Sequence, residues 1–214
     1  MWWEMNIIDD ESLKKERDEL YNKFVFYSNN LLSAYEACKS KICLWEYSLG
    51  IAKEIIPYEG IIPTNMKNNG RILKKITKSN FESKNFIVYG LDNNGKVIFF
   101  QRRADKDIEK YGENIRIVDD EYILSTHIYS SNPEKNRLSS ICHSYKKGDV
   151  ICYISIAPPY NWFVRIDKVI NDKIVKSSMF ATSWFKQIDY DFIYDGTGEL
   201  SKIVIGDFIH WQRN

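Results

Sequence analysis

The first 56 residues carry apolar side chains at alternating spacings of three and four, which is the repeat of one face of an α-helix. The stripe consists of Leu20, Phe24, Tyr27, Leu31, Ala34, Cys38, Ile42, Trp45, Leu49, Ala52 and Ile56. A straight helix from residue 10 to residue 56 would extend for roughly 70 Å at 1.5 Å per residue. The spacing therefore predicts either a helical hairpin that packs on the rest of the chain or a long helix that forms a homodimer.

One segment before Gly50 favours a break in this helix. Ser28, Asn29 and Asn30 compete with the backbone for hydrogen bonds, which weakens a helix locally. The apolar stripe nevertheless keeps its spacing across these residues, as a continuous helix would require. Both the hairpin and the continuous helix are compatible with the pattern.

The helical spacing ends at Pro57, and residues 57–85 are rich in Pro, Gly and Asn. These residues are typical of turns and loops, so we expect a connector here with one short helical turn. Residues 61–84 also hold six basic side chains and one acidic side chain. The basic ones are Lys67, Arg71, Lys74, Lys75, Lys78 and Lys84. A local basic run of this kind is usually a solvated face of a connector or helix.

From Phe86 onward the pattern changes to short apolar segments typical of β-strands. The segments 86–91 and 96–100 flank Asp92-Asn93-Asn94-Gly95, and Asn-Gly accepts the positive φ angles of a tight hairpin turn. Further strands are predicted at 115–118, 122–129, 150–157, 162–170, 174–184, 188–194 and 200–211. The short turns between them predict an antiparallel meander.

Several of these segments alternate between apolar and polar side chains. Trp162, Val164 and Ile166 would form one face of a strand, while Arg165 and Asp167 point the other way. The same alternation places Asp189 and Asp191 opposite four apolar or aromatic residues, Ile188, Tyr190, Phe192 and Tyr194. This pattern predicts a sheet with one face packed and one face in solvent.

One helix is expected to interrupt the sheet near residues 133–147. Asn132 and Pro133 suit the start of a helix, and Gly148 suits its end. Leu138, Ile141, Cys142 and Tyr145 have the spacing of one helix face. The predicted class is thus α+β: a helical segment over 1–56, a connector over 57–85, and a curved antiparallel β domain over 86–214 with one inserted helix. Together they would form one structural unit.

The composition indicates a folded protein and limits the classes of partner. Hydrophobic residues make up 44% of the 214 residues, which is ample for a core. The net charge is +1, so no global field favours nucleic acid or an anionic membrane. The sequence shows no signal-peptide pattern and no apolar stretch of membrane-spanning length. The four cysteines lack metal-ligand spacing and are expected to be buried thiols in a reducing compartment. We therefore expect a cytoplasmic protein.

Candidate catalytic residues are few. Cys142 and His143 are adjacent, but on the predicted helix they point about 100° apart, which favours a buried structural thiol beside an exposed imidazole. His127 and His210 fall on predicted strands, where either would need a distant cysteine or carboxylate to form a nucleophilic pair. No phosphate-binding loop and no metal-binding motif is present. We predict no cofactor and no metal site, and an enzyme is the less favoured class.

Carboxylates concentrate near the C-terminal end of the chain. Asp189 and Asp191 share one face of a strand, Asp195 lies in the following turn, and Glu199 lies just beyond it. Such a group can hold a divalent metal, perform acid–base chemistry or bind a basic partner. Ligands from a second strand or loop are not evident. We therefore predict that Asp189, Asp191, Asp195 and Glu199 form a partner-binding surface.

The segment 192–203, Phe-Ile-Tyr-Asp-Gly-Thr-Gly-Glu-Leu-Ser-Lys-Ile, resembles hairpins found in bacterial polymorphic-toxin immunity proteins. The resemblance covers about a dozen residues and transfers no functional residue. It implies a small cytoplasmic α+β protein that binds a cognate toxin and often presents acidic groups to a basic nuclease site.

Three functional hypotheses follow. The leading one is a protein-binding module, in particular an immunity protein that neutralises a bacterial toxin by occluding its active site. Abundant Tyr and Trp, fourteen and six residues, suit such a binding surface. The first alternative is a small hydrolase whose site is assembled from distant strands, recognisable by His127 or His210 converging with a cysteine or carboxylate in a deep pocket. The second is an oligomerising structural protein built around the N-terminal helix.

Overall fold

A computed structural model describes residues 7, 10–62, 70–83, 85–102, 112–159 and 161–213. The helices are α1 (Glu11–Asn29), α2 (Leu31–Ser40) and the short α3 (Lys78–Phe81). The first strands are β1 (Leu44–Leu49), β2 (Arg71–Ile72), β3 (Phe86–Leu91), β4 (Val97–Arg102), β5 (Glu113–Asp119) and β6 (Tyr122–Ile128). The remaining strands are β7 (Arg137–Lys147), β8 (Val150–Ala157), β9 (Asn161–Ile170), β10 (Lys173–Ala181), β11 (Ile188–Tyr194), β12 (Leu200–Ile205) and β13 (Phe208–Gln212). The class is α+β, as predicted.

The chain divides into two compact units, one of residues 24–140 and one of residues 1–23 with 141–214. In the 24–140 unit the strand order is β6-β5-β4-β3-β1-β2, with antiparallel neighbours. Helix α2 packs on β4 and β5. A core cluster of Ile87, Tyr89, Leu91 and Val97 lies beneath the half-buried side chains of Ile51, Ile55 and Phe100.

The 141–214 unit is an antiparallel meander in which each strand from β7 to β13 pairs with the next along the chain. Register shifts interrupt the β9–β10, β11–β12 and β12–β13 pairs, and such bulges bend a sheet. The first part of α1 belongs to this unit. There Glu16 accepts a hydrogen bond from the Tyr145 hydroxyl at 3.0 Å, and the Arg17 guanidinium lies 4.0 Å from the Trp162 ring centroid.

The N-terminal helix is shorter than predicted and does not form a hairpin. It breaks at Asn30, within the predicted segment, but hydrogen bonds from Asn30 N–H to the Phe26 carbonyl and from Ala34 N–H to the Asn30 carbonyl continue the helical pattern. A helical hairpin needs a loop of two to five residues, so the break is a kink. The apolar stripe is occupied within the chain, because Leu20, Tyr27, Leu31, Ala34 and Cys38 are all buried.

The prediction of helix up to Ile56 is wrong, because Leu44–Leu49 forms strand β1. This segment pairs with β3 along its whole length, from Leu44 opposite Leu91 to Leu49 opposite Phe86. Trp45 and Tyr47 are residues that favour strands when a neighbouring strand supplies backbone partners. The three-and-four spacing of Ile42, Trp45 and Leu49 therefore continued the helical stripe only by coincidence.

The predicted helix at 133–147 is also wrong. Pro133–Lys135 forms a single 3₁₀ turn, and the rest is strand β7. Ile141 and Cys142 are adjacent and both buried, since this strand is covered on both faces. Burial on both faces places apolar residues at spacings that imitate a helix. Gly148, with φ of 64°, closes the β7–β8 turn and not a helix end.

The hairpin predictions are confirmed. β3 and β4 flank Asp92–Gly95, and Gly95 has φ of 75°. The segment 200–211 contains two strands, β12 and β13, separated by Gly206 and Asp207. One of the four cysteines departs from the prediction: Cys43 is exposed, whereas Cys38, Cys142 and Cys152 are buried and all four are free thiols.

The prediction of a wet face on β9 is wrong. Arg165 and Asp167 are 2% and 0% exposed at their side chains. They neutralise each other through two hydrogen bonds of 2.7 Å, from Nε to Oδ1 and from Nη2 to Oδ2. Residues two apart on a strand share a face, so opposite charges at this spacing can be buried as a pair.

Candidate functional site

Strand β11 shows the one-sided alternation that the sequence predicts. Tyr190 and Phe192 are buried, whereas Asp189, Asp191 and Ile193 are exposed on the opposite face. The side-chain period of two in a strand produces this separation. The structure thus identifies which side of β11 meets solvent.

Neighbouring strands add residues to the same side. In register, Asp191 lies between Lys176 on β10 and Val204 on β12, and Val204 lies opposite Ile209 on β13. Ile193 lies opposite Lys202. We call this surface the β11 face; it consists of Lys176, Asp189, Asp191, Ile193, Lys202, Val204 and Ile209. It combines two carboxylates and two ammonium groups with apolar side chains, so it is less acidic than the sequence alone suggested.

Asp189 is held in place by its neighbours. Its Oδ1 accepts hydrogen bonds from the Ser178 hydroxyl at 2.5 Å and from Nε2 of Gln187 at 3.1 Å. Both donors are neutral, so neither adds a positive charge beside this carboxylate. Asp191 faces Lys176 across the strand pair, an arrangement that favours charge pairing between neighbouring strands.

Asp195 and Glu199 belong to a different arrangement, the β11–β12 turn. Oδ1 of Asp195 accepts hydrogen bonds from the Thr197 hydroxyl at 2.5 Å, the Thr197 N–H at 2.9 Å and the Glu199 N–H at 3.1 Å. The Arg213 guanidinium pairs with both Asp195 and Glu199. The hydrogen bond from the Thr197 hydroxyl, backbone N–H groups and Arg213 hold the pKa of Asp195 well below its ordinary value of 3.8.

The four predicted site residues therefore separate into two pairs. Asp189 and Asp191 lie on the β11 face, while Asp195 and Glu199 surround Arg213 and stabilise the turn. Only the first pair presents charge without an arginine partner among its described contacts. The predicted partner-binding role stays a prediction for all four, but the geometry favours Asp189 and Asp191.

A cavity of about 680 Å³ lies in the 24–140 unit. Its wall is assembled from separated parts of the chain: residues 51–62, 100–102, 114–116, 125–127 and 139–140. Polar groups along it include Glu54, Glu59, Arg116, Ser125, His127 and Ser139. Its volume is in the range of small-molecule sites.

Charged groups on the cavity wall are ordered by hydrogen bonds. Nη1 of Arg116 donates to both oxygens of Glu59, at 2.6 and 2.5 Å. Glu54 accepts the Tyr58 N–H at 2.8 Å. His127 lies on β6 opposite Asn114 of β5, and both line the cavity. The sequence predicts His127 as a candidate but gives no signal for Glu54 and Glu59, which line the same cavity, because they fall in the predicted helix and connector.

The other predicted catalytic candidates lie elsewhere. The His210 ring packs edge-on against Tyr190 with centroids 5.2 Å apart. Cys142 and His143 are neighbours on strand β7, so their side chains point to opposite faces. No cysteine is among the described residues that line the cavity. The described lining of this cavity therefore offers His127 no cysteine as a nucleophile.

Within the described residues no group of three or more His, Cys, Asp or Glu side chains is placed to hold a metal ion. No helix in the described parts of the chain has the length and apolarity needed to cross a membrane.

Comparison of the chain with protein-family models, curated proteins and solved structures finds no match.

Proposed function

We propose that this protein is a protein-binding module that contacts its partner through the β11 face. The observation that carries the proposal is the exposure of Ile193 and Ile209 beside Asp189 and Asp191 on one side of the sheet. Exposed apolar side chains with charged neighbours are a common composition of protein-binding surfaces. The apolar groups would supply buried area, and the two carboxylates would select a partner with basic groups.

The more specific form of the proposal is a cytoplasmic immunity protein that neutralises a bacterial toxin by occluding its active site. Its support is the resemblance of the segment 192–203, together with the four free thiols, which suit a reducing compartment. Asp189 and Asp191 lie directly before that segment and would face the basic groups of a nuclease-type toxin.

The test begins with a pull-down from native cells in which the products of neighbouring genes are co-expressed. The captured partner is identified by mass spectrometry. Affinity for the isolated partner is then measured for the parent chain and for the Asp189→Lys/Asp191→Lys variant. We expect the charge reversal to weaken binding at least tenfold, since like charges across an interface are strongly unfavourable. Inhibition of the partner's toxic activity, measured in parallel, separates neutralisation from binding alone.

The control is Glu134→Lys, which reverses an exposed carboxylate in the 24–140 unit. It should leave affinity unchanged. Equal affinity of the parent and the doubly reversed variant would remove the β11 face from the proposal.

A second candidate function is a hydrolase that uses the larger cavity. The observation that favours it is the position of His127 on a cavity wall that also carries Glu54 and Glu59, since a hydrolase site of this kind needs a histidine and a carboxylate in one pocket. A panel of fluorogenic esters and amides should then show turnover that His127→Ala abolishes and His210→Ala leaves intact. No turnover on the panel, or equal turnover by the His127→Ala variant, would count against the hydrolase.

A further inference from the structure

Beside the larger cavity lies a smaller one of about 280 Å³, also within the 24–140 unit. Its wall includes Arg71 from β2, Arg102 from the end of β4, and Ser83 and Asn85 from the segment before β3. Leu49, Gly50, Ile51 and Ile87 complete its described lining. The polar side chains around this space therefore converge from three separate parts of the chain.

These polar side chains share one chemical property: each of them can donate hydrogen bonds. Arg71 and Arg102 carry guanidinium groups, Asn85 a carboxamide and Ser83 a hydroxyl, and no carboxylate is among the described lining residues. The larger cavity, by contrast, contains Glu54 and Glu59. The smaller cavity therefore has the lining expected for an anion, and the larger one does not.

Among the described residues, the two arginine side chains have no other polar partner. In the described parts of the chain neither Arg71 nor Arg102 makes a hydrogen bond or ion pair through its side chain. Arg116 of the same unit shows the contrast, because its guanidinium is held by Glu59 through two contacts. A planar guanidinium matches a carboxylate or phosphate group through paired hydrogen bonds. As far as the described residues show, the N–H donors of Arg71 and Arg102 thus remain available to such a group.

Local charge also favours an anion at this place. Arg71 belongs to the basic run of residues 61–84, and Lys74 and Lys75 of that run are exposed close to it in sequence. Clustered positive charge raises the local concentration of anions and increases their rate of association.

The two cavities adjoin, since Ile51 and Arg102 line both. On the side of the larger cavity, Ile51, Ile55 and Phe100 offer half-buried apolar surface that packs on the core cluster of the unit. A ligand with an anionic head between the two arginines would place its apolar body on these three side chains.

We infer that the two adjoining cavities bind a small organic acid, whose carboxylate or phosphate group lies between Arg71 and Arg102 and whose apolar part contacts Ile51 and Phe100. This site is independent of the β11 face, which belongs to the other unit. A positive or negative result for either surface therefore leaves the other one unaffected.

The test measures binding of four probes to the full-length protein by titration calorimetry at low ionic strength: benzoate, phenyl phosphate, inorganic phosphate and uncharged benzyl alcohol. We expect benzoate or phenyl phosphate to bind, inorganic phosphate to bind at least tenfold more weakly, and benzyl alcohol not to bind. The stronger of the two aromatic acids identifies whether the site takes a carboxylate or a phosphate ester.

Variants then locate the site. Arg71→Gln and Arg102→Gln should each weaken binding about tenfold or more, which is the range for a lost hydrogen bond to a charged group. Arg102→Lys keeps the charge but loses the paired geometry, and it should give an intermediate affinity. Arg137→Gln is the matched control, because Arg137 is exposed and lies outside both cavities. All three positions are exposed, so unchanged thermal unfolding is expected to verify the fold.

Three results would overturn the inference. The first is that neither aromatic acid binds. The second is that benzyl alcohol or inorganic phosphate binds as tightly as the aromatic acids, which would remove the head group or the apolar part from the description. The third is that the two Arg→Gln variants bind as the parent does.

Discussion

The two units differ in where they place arginine side chains. The 141–214 unit buries an ion pair, Arg165 with Asp167, inside its sheet, where the two charges satisfy each other. The 24–140 unit keeps its Arg116–Glu59 pair half exposed on a cavity wall and leaves Arg71 and Arg102 without a side-chain partner in the described parts of the chain. The buried charges of the 141–214 unit thus belong to the interior of its sheet, whereas the arginines of the 24–140 unit line cavities that a ligand can occupy.

The largest effect is expected from breaking the buried pair. Asp167→Ala leaves the Arg165 guanidinium buried without its carboxylate, which typically costs about 3–5 kcal/mol of unfolding free energy. Urea unfolding measured by circular dichroism gives the total loss. Alkylation of the free thiols during the titration, followed by mass spectrometry, shows where it occurs, since Cys152 lies in the same unit and Cys38 in the other.

Both thiols are suitable probes of opening. Burial raises the pKa of Cys38 to about 11 and that of Cys152 to about 12, so neither reacts readily while its unit is folded. In Asp167→Ala we expect Cys152 to become reactive at lower urea while Cys38 keeps its midpoint. The control Arg165→Met/Asp167→Leu removes both charges and should be close to neutral. Simultaneous loss of protection at both thiols would show that the two units unfold together. The difference between the units would then be one of local sites and not of separate folding units.

The converse experiment acts on the 24–140 unit. Leu31 is buried on α2, and Leu31→Ala should cost about 2–5 kcal/mol because it leaves a cavity. The adjacent Leu32 is 49% exposed, so Leu32→Ala should stay within about 0.5 kcal/mol. In urea titrations with thiol alkylation, Cys38 should become reactive at lower urea in Leu31→Ala than in the parent. In Leu32→Ala neither Cys38 nor Cys152 should change its midpoint.

The same pair of variants addresses the predicted homodimer through the N-terminal helix. If Leu31 contacted a second copy, the unfolding midpoint of the parent would rise with protein concentration, and Leu31→Ala would weaken that dependence whereas Leu32→Ala would not. Because Leu31 is buried within the chain, we expect no such dependence. An unfolding midpoint of the parent that rises with protein concentration would support the homodimer.

Local signals in the sequence were sufficient for turns and for part of the sheet. Gly95 supplies the positive φ of the β3–β4 hairpin turn, and the one-sided alternation of β11 located Asp189 and Asp191 correctly on a solvent face. β9 has the same alternation, yet its polar face is buried. The distinguishing signal was present: Arg165 and Asp167 have opposite charges and can neutralise each other, whereas Asp189 and Asp191 have like charges and cannot.

Burial on both faces and assembly from distant segments were not predictable. β7 is covered on both sides, so the spacing of Leu138, Ile141 and Cys142 matched a helix. The cavities are formed by segments far apart in sequence, so that His127 and Glu54 line one cavity and Arg71 and Arg102 the other only after the strands pair. Side-chain periodicity describes one element at a time, and it contains no information on such convergence.

The smallest expected effect concerns two turns, one in each unit, with the same acceptor pattern. Oδ1 of Asp92 accepts the N–H groups of Asn94 and Lys96 at 2.9 Å, as Oδ1 of Asp195 accepts those of Thr197 and Glu199. Only Asp195 also pairs with an arginine among the described residues, Arg213. Asp195→Asn removes the charge from this contact, and Asp92→Asn is the matched control.

The direction with pH follows from the pKa of Asp195, which lies below 3.8 in the folded protein. A lowered carboxylate pKa contributes stability above about pH 4, and this contribution fades as the pH falls through the lowered value. The parent should therefore be more stable to urea than Asp195→Asn at about pH 6, and the difference should shrink toward about pH 2. Because the group is exposed, the effect should be smaller than those of Asp167→Ala and Leu31→Ala. An equal pH-dependent loss in Asp92→Asn would show that the backbone hydrogen bonds, and not Arg213, cause the effect, and the two turns would then be equivalent.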